Sequence, residues 1–342
     1  MTKRLAKHVL PAVIEWTPHR LIARLLGGFT PIFMLHRIVA DGLAVEGHTP
    51  AFIEQCLSYI RKHRYNPISL ETYGRLRLAG EPVPARSVVF TIDDGFKDQC
   101  LVGGEVFGKY DIPLTCFLIT DFIDGRLWPW DDQIRYVLDS TPRRQFAVKL
   151  MDGSDFAVDL ASASPHGNAR LLRNRLKEID QTALYDWLPQ FYRAAEVDVP
   201  AAPPAHYQPV SWAEANAFVA RGHGIAPHTC SHRILSRLQE ETSSREITAA
   251  AARVRQEVAQ AAPVFAYPTG RRQDFGEREY SAAAAAGFSC AVSTVPAAAA
   301  PRDHRYALPR FSLPENFTDF IQYLTYIEVV KSKYYRRSRR SM

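Results

Sequence analysis

No Cys-x-x-Cys pair occurs anywhere in the chain. Its five cysteines, at 56, 100, 116, 230 and 290, are odd in number and scattered. That argues against a disulfide framework and against a cysteine zinc site, and it agrees with a reducing compartment. Nothing approaches the ~18 consecutive apolar residues that a membrane span requires. The head also lacks the features of a secretory signal. Its apolar run from Val9 to Ile14 is interrupted by Pro11, is followed by Glu15 and ends in no small-x-small cleavage site. No internal repeat is found, and the alanine runs at 282–286 and 297–300 read as helix surface and loop filler.

Charge is unevenly spread. The formal net charge is +6, yet the tail from Lys331 carries Lys331, Lys333, Arg336, Arg337, Arg339 and Arg340 without an acid. The head has Lys3, Arg4, Lys7, Arg20 and Arg24 against Glu15 alone, so the body between the ends is net acidic. Basic ends suit an anionic membrane surface, where Leu21 to Leu26 with Arg20 and Arg24 would form a short amphipathic helix; a solvated terminus is the plainer alternative. These features suggest a cytoplasmic protein, peripheral at the membrane if its ends bind lipid, and no nucleic-acid partner.

What is present is a buried strand that runs into two acids. Ser87 to Ile92 is apolar or β-branched on nearly every residue, the pattern of a parallel strand covered on both faces. Asp93 and Asp94 then fall at its C-terminal end, where α/β proteins keep their chemistry, and Gly95 permits a sharp exit. One carboxylate can hold a metal while the other handles a proton. A turn-forming Asp-Asp-Gly with solvated acids fits the same residues.

Strand and helix alternate around this stretch. Pro31–Leu35 reads as a strand delivering His36 and Arg37. Helices are expected over 49–63, 71–78 and up to Tyr110, and a strand over 112–119. After residue 205, Ser211-x-x-Glu214 opens a helix as a capping box, and Gly224–Pro227 is a short strand. Ser243-x-x-Glu246 reads as a second capping box, opening a helix to about 260. Strands at 264–267, 288–293 and 307–312 and a helix at 276–286 complete the pattern. Between 128 and 205 it breaks: two Phe-Ala-Val segments flank Asp152-Gly153 as a β-hairpin, helices follow, and a Pro-rich connector returns the chain. The expected organisation is a basic helical segment (1–30), a body in two pieces (31–127 and 206–313), an insertion acting as lid or side wall (128–205), and a C-terminal helix with a basic tail (314–342).

His228 and His232 have the spacing that places two imidazoles on one face of a helix or turn. With Asp94 they form a three-ligand set that leaves room for water or substrate. Asp93, beside it, is placed to take a proton from that water.

Thr91-Ile-Asp-Asp-Gly95, His228-Thr-Cys-Ser-His232 and Phe265-Ala-Tyr-Pro-Thr-Gly270 resemble, in order, three motifs of the polysaccharide deacetylases related to the nodulation chitooligosaccharide deacetylase. The resemblance spans roughly residues 31–313 and is poorest over 128–205. It implies a distorted (β/α) barrel of about seven strands and a divalent metal, zinc first, with cobalt and nickel as alternatives. The implied reaction removes N-acetyl groups from the hexosamines of a glycan. By position, Asp93 is the implied base and Asp94, His228 and His232 the metal ligands, and the backbone N–H of Tyr267 would face the oxyanion. Two family features are missing. No arginine stands in the third motif, and Arg310 in Leu308-Pro-Arg310 is the substitute candidate. No late Leu-x-His follows, and Met34-Leu-His36 resembles the N-terminal histidine of the branch acting on exopolysaccharide glucosamine, making His36 the candidate acid. Trp128 and Trp130 would either stack on sugar rings or pack the insertion, and Cys230 could add a fourth ligand. Two other readings stay open, a metal-dependent phosphoesterase and a catalytically impaired glycan-binding relic.

Overall fold

The computed structural model describes residues 28–39, 42 and 46–328. The basic head, the amphipathic helix expected at its end and the basic tail lie outside the described residues.

Five parallel strands form the principal path: β10 (Phe311–Ser312), β1 (Ile32–Leu35), β3 (Ser87–Ile92), β4 (Leu114–Leu118) and β7 (Gly224–Pro227), in that order. β2 (Asn66–Pro67) also pairs with β3, and β8 (Val264–Ala266) with β9 (Cys290–Val292). Beyond the ladders, the Ala262 amide donates to the Ile225 carbonyl at 2.8 Å, and Val292 bridges in parallel to Leu308. The result is an α/β fold whose sheet is mostly parallel.

Every residue of β3 is buried, as its composition predicts. Val88, Phe90 and Ile92 join the large core beneath helices α1 (Pro50–Lys62) and α3 (Gly104–Gly108), whereas Val89 joins the opposite cluster with Phe117, Ala226 and Val264. Thr91 and Asp93 continue the Val89 face by strand alternation. Register completes the placement. Leu35 pairs with Ile92, and the Asp93 amide donates to the Leu35 carbonyl at 3.1 Å, so His36 and Asp93 leave neighbouring strand ends on one rim.

The helices start where their caps say. Thr49 caps α1 and Ser69 caps α2 (Leu70–Ala79). Ser211 and Glu214 exchange both bonds of a capping box at α8 (Trp212–Ala220). Of the helix expected before Tyr110, the first turn is a π-helical stretch at Gln99–Gly103. α4 (Thr120–Ile123) is a single turn after β4. The second capping box is a misreading. α9 spans Glu240–Glu257, so Ser243 and Glu246 lie inside it and are buried.

Residues 128–205 contain α5 (Trp130–Ser140), the antiparallel hairpin β5–β6 (Gln145–Lys149 and Asp155–Asp159), α6 (Pro165–Leu176) and α7 (Leu184–Ala195). They share a core of their own, with Trp130, Ile134, Phe146, Leu172 and Phe191. Two later helices, α10 (Glu277–Ala285) and α11 (Phe317–Leu324), finish the chain as described. Gly287 stops α10 with φ 77°, the left-handed position glycine favours there. No helix among the described residues is long and apolar enough to cross a membrane.

Candidate functional site

The acids at the end of β3 sit in a backbone built for them. Asp94 has φ 91° and Gly95 φ 86°. A left-handed aspartate costs about 1–3 kcal/mol unless its surroundings impose it. Here they do: buried Gln99 accepts from the amides of Gly95 (2.8 Å) and Phe96 (3.1 Å), and its side-chain nitrogen donates to the carbonyls of Asp93 and His36. One glutamine at the start of the π-helical turn thus ties both strand ends together. Such turns concentrate at functional sites, but nothing local in the sequence marked Gln99.

Asp93 is gripped by Arg310, whose two terminal nitrogens reach its two carboxylate oxygens at 2.7 Å each. The guanidinium is fully buried and also donates to Thr91 Oγ1 (3.0 Å) and the Ser293 carbonyl (2.9 Å). Burial alone would raise the Asp93 pKa; the charge and hydrogen bonds of Arg310 outweigh it and hold the group at about 2. The fork geometry explains why arginine rather than lysine suits the position.

Asp94, His228 and His232 converge. Asp94 Oδ1 lies 3.7 Å from His228 Nε2 and 3.5 Å from His232 Nε2. One ligand atom from each lies within 4.8 Å of the others, and Cys230 is outside this group. Burial raises the Cys230 thiol to about 12.

The two histidines sit on a loop rather than a helix, with Thr229 at φ 67° and His232 at φ 57°. The Thr229 hydroxyl accepts from the His232 amide (3.1 Å), and the carbonyls of Thr229 and Cys230 accept from the first amides of α4 (3.1 and 3.0 Å). Glu246, from α9, closes the loop. It accepts from the amides of Cys230 and Ser231 (2.9 Å each), from the Ser231 hydroxyl (2.5 Å) and from Arg233 (2.9 Å).

Each imidazole is held by its other nitrogen. His228 Nδ1 lies 2.7 Å from the Ala266 carbonyl, which fixes Nδ1 as donor and leaves Nε2 for a ligand bond. Burial drives this ring to about 3, against the opposing pull of Asp93. Burial would lower His232 too, but the negative charges of Asp131 and then Asp94 raise it to about 9. Asp131 belongs to the insertion, and its sequence context carried no sign of this contact.

The remaining expected residues fall as follows. His36 is exposed at the rim, at the end of β1 beside Asp93. Tyr267 is buried, but its backbone N–H donates to the Val292 carbonyl at 3.3 Å. An oxyanion would share that N–H with the Val292 carbonyl. Neither tryptophan offers a stacking face. Trp128 is 5 % exposed, its ring 5.2 Å from those of both Tyr136 and Tyr207, and Trp130 is 1 % exposed.

Asp94, His228 and His232, beside the clamped carboxylate of Asp93, are a donor set that could hold a metal ion. Comparison with known proteins gives the class: residues 176–290 match the polysaccharide deacetylase family. Over that stretch the chain is similar to polysaccharide deacetylases, which are hydrolases. The match includes both histidines but stops short of the Asp93-Asp94 strand.

Among solved structures, the fold is similar to the Streptococcus pyogenes deacetylase PplD in complex with acetate. The TM-score is 0.57 at 17 % identity, over 87 % of this chain and 98 % of that one. It is also similar to IcaB from Ammonifex degensii (TM-score 0.52, 14 % identity, 86 % and 95 % covered). A de-N-acetylase from Aggregatibacter actinomycetemcomitans is a third (TM-score 0.51, 11 % identity, 86 % and 99 % covered). At such identities the likeness speaks for the fold. No curated protein matches.

Proposed function

We propose that the protein is a metal-dependent deacetylase that removes acetyl groups from N-acetylhexosamine units of a polysaccharide, an oligosaccharide or a glycan precursor. The observation that carries the reading is the meeting of Asp94, His228 and His232 at one point, with Asp93 next to them under the fork of Arg310. The hydrogen bond from Ala262, just before β8, to Ile225 in β7 and the Val292–Leu308 bridge support closure of the strands into a distorted barrel.

Asp94, His228 and His232 would hold a divalent ion, zinc in this reading, though cobalt or nickel suit the same donors. When bound, such an ion supplies Lewis acidity, polarising the amide carbonyl and acidifying water. The chain's own residues do the rest. Asp93, kept ionised and aimed by Arg310, accepts the proton of the attacking water. The new bond forms between the water oxygen and the carbonyl carbon. As the carbon–nitrogen bond breaks, His36 gives a proton to the departing amine, and acetate and a free amino sugar result. Before the step, desolvated Asp93 is paired with the Arg310 cation, which avoids an uncompensated buried charge in the resting site.

The test is product identity. Acetylated glycan oligomers and an aryl phosphate are each incubated with the zinc-loaded protein and with its Asp93→Asn variant. The reading expects acetate from the oligomers, at least ~100-fold less from the variant, and no phosphate. Phosphate release would favour the phosphoesterase. A parent replete in metal yet inert on every acetylated glycan would favour the binding relic.

A further inference from the structure

The two histidines of the loop are supported unequally. His228 donates to a neutral carbonyl, whereas His232 Nδ1 faces Asp131 Oδ1 at 3.4 Å. That distance is an ion-pair contact without hydrogen-bond alignment, and both atoms are buried with no other hydrogen-bond partner. Unpartnered buried polar atoms are costly, so two that face each other point to a common purpose. The tautomer that frees Nε2 for a ligand bond puts the proton on Nδ1, directed at this carboxylate.

The insertion holds the same stretch at further points. The Trp130 indole N–H donates to the His232 carbonyl at 3.0 Å, and the Tyr185 hydroxyl to the Ser231 carbonyl at 2.8 Å. Gln181 accepts from the Ile234 amide at 2.7 Å, and its own amide donates to the Arg237 carbonyl at 3.0 Å. Arg233 donates to the Thr182 carbonyl at 3.1 Å. Contacts this dense on backbone groups fit a fixed wall, not a lid that lifts away.

We infer that the 128–205 insertion is a structural part of the metal centre, with Asp131 the positioning residue that orients His232 and Trp130 the anchor of its backbone. The inference rests on the reading of Asp94, His228 and His232 as metal ligands, and it goes beyond that reading by making ligand geometry depend on a segment outside the strand–helix body. A carboxylate behind a metal-bound imidazole typically accounts for 10- to 100-fold in metal affinity.

The experiment measures zinc affinity of the full chain by competition with a chromophoric chelator, alongside thermal unfolding of the chelated protein. Asp131→Asn should bind zinc at least about 10-fold more weakly, a loss larger than any fall in stability of its chelated form, which gives up the His232–Asp131 contact. Trp130→Phe, which keeps the ring and loses the N–H, should weaken zinc binding by a smaller factor. Zinc affinity in Asp131→Asn within twofold of a zinc-binding parent would overturn the inference alone. So would a fall in the chelated protein's midpoint that tracks the loss of affinity, since that marks a general structural role. A parent that binds no zinc would overturn the metal reading and this inference with it.

Discussion

A carboxylate held by both arms of a buried guanidinium behaves differently from one in water. Removing Arg310 would strand Asp93, and breaking one side of such a pair costs about 3–5 kcal/mol. Because the folded pKa of about 2 lies below the ordinary value, the pair's contribution is complete above ~4 and is lost as pH falls through about 2. Arg310→Met should therefore unfold well below the parent at pH 7, and the gap between the two melting temperatures should close toward pH 2. A pH-independent gap would mean the arginine acts through packing. His36 gives a different prediction. Its side chain touches the rim rather than the ligand set, so His36→Ala should lower kcat by about 100-fold or more while zinc content stays at the parent level. Equal turnover would remove it from the mechanism. Both residues were legible in the sequence because each ends or precedes a strand. Gln99 and Asp131 were not, since a glutamine opening a helical turn and an aspartate after Trp130 have no distinguishing local pattern.

At the scale of the element, the loop from His228 to His232 stores strain. Two of its five positions are non-glycine residues at positive φ, one of them a β-branched threonine for which that region is a marked outlier. What holds it is α9, through Glu246. Ser-x-x-Glu occurs twice in this chain, and only the copy at 211–214 begins a helix. At 243–246 the helix has already started at Glu240, so the hydroxyl bonds to Glu279 (2.7 Å) and the carboxylate to the loop. A four-residue pattern reports only its own neighbourhood, and the competing partners lie 36 and about 15 positions away. Glu246→Gln keeps one acceptor and turns an N–H₂ toward donors. It should destabilise the fold by about 3 kcal/mol, measured by denaturant unfolding, and weaken zinc binding as well. A stability change under about 0.5 kcal/mol, the usual range of a surface substitution, would show that the loop holds its shape unaided.

For the molecule as a whole, alternation of strand and helix was readable on both sides of the 128–205 insertion because parallel strands buried on both faces must be nearly all apolar. Each strand expected in the body appears; those at 87–92 and 224–227 match to the residue, and the others are trimmed at one or both ends. The stretches Ile112–Ile119 and Phe288–Ser293 become strands only from Leu114 and from Cys290. The grip of the insertion on the histidine loop could not be read, since it joins residues such as Trp130 and His232, 102 positions apart. The proposed function nevertheless requires a single bound ion to unite Asp94, just after β3, with His228 and His232 in the loop after β7. Acetate release from N-acetylglucosamine oligomers, followed through chelation and readdition of zinc, tests it most directly. The account predicts activity abolished by chelator and restored by one equivalent of zinc in the parent, and no restoration in Asp94→Ala or His228→Ala. Full acetate release from the exhaustively chelated protein would contradict it.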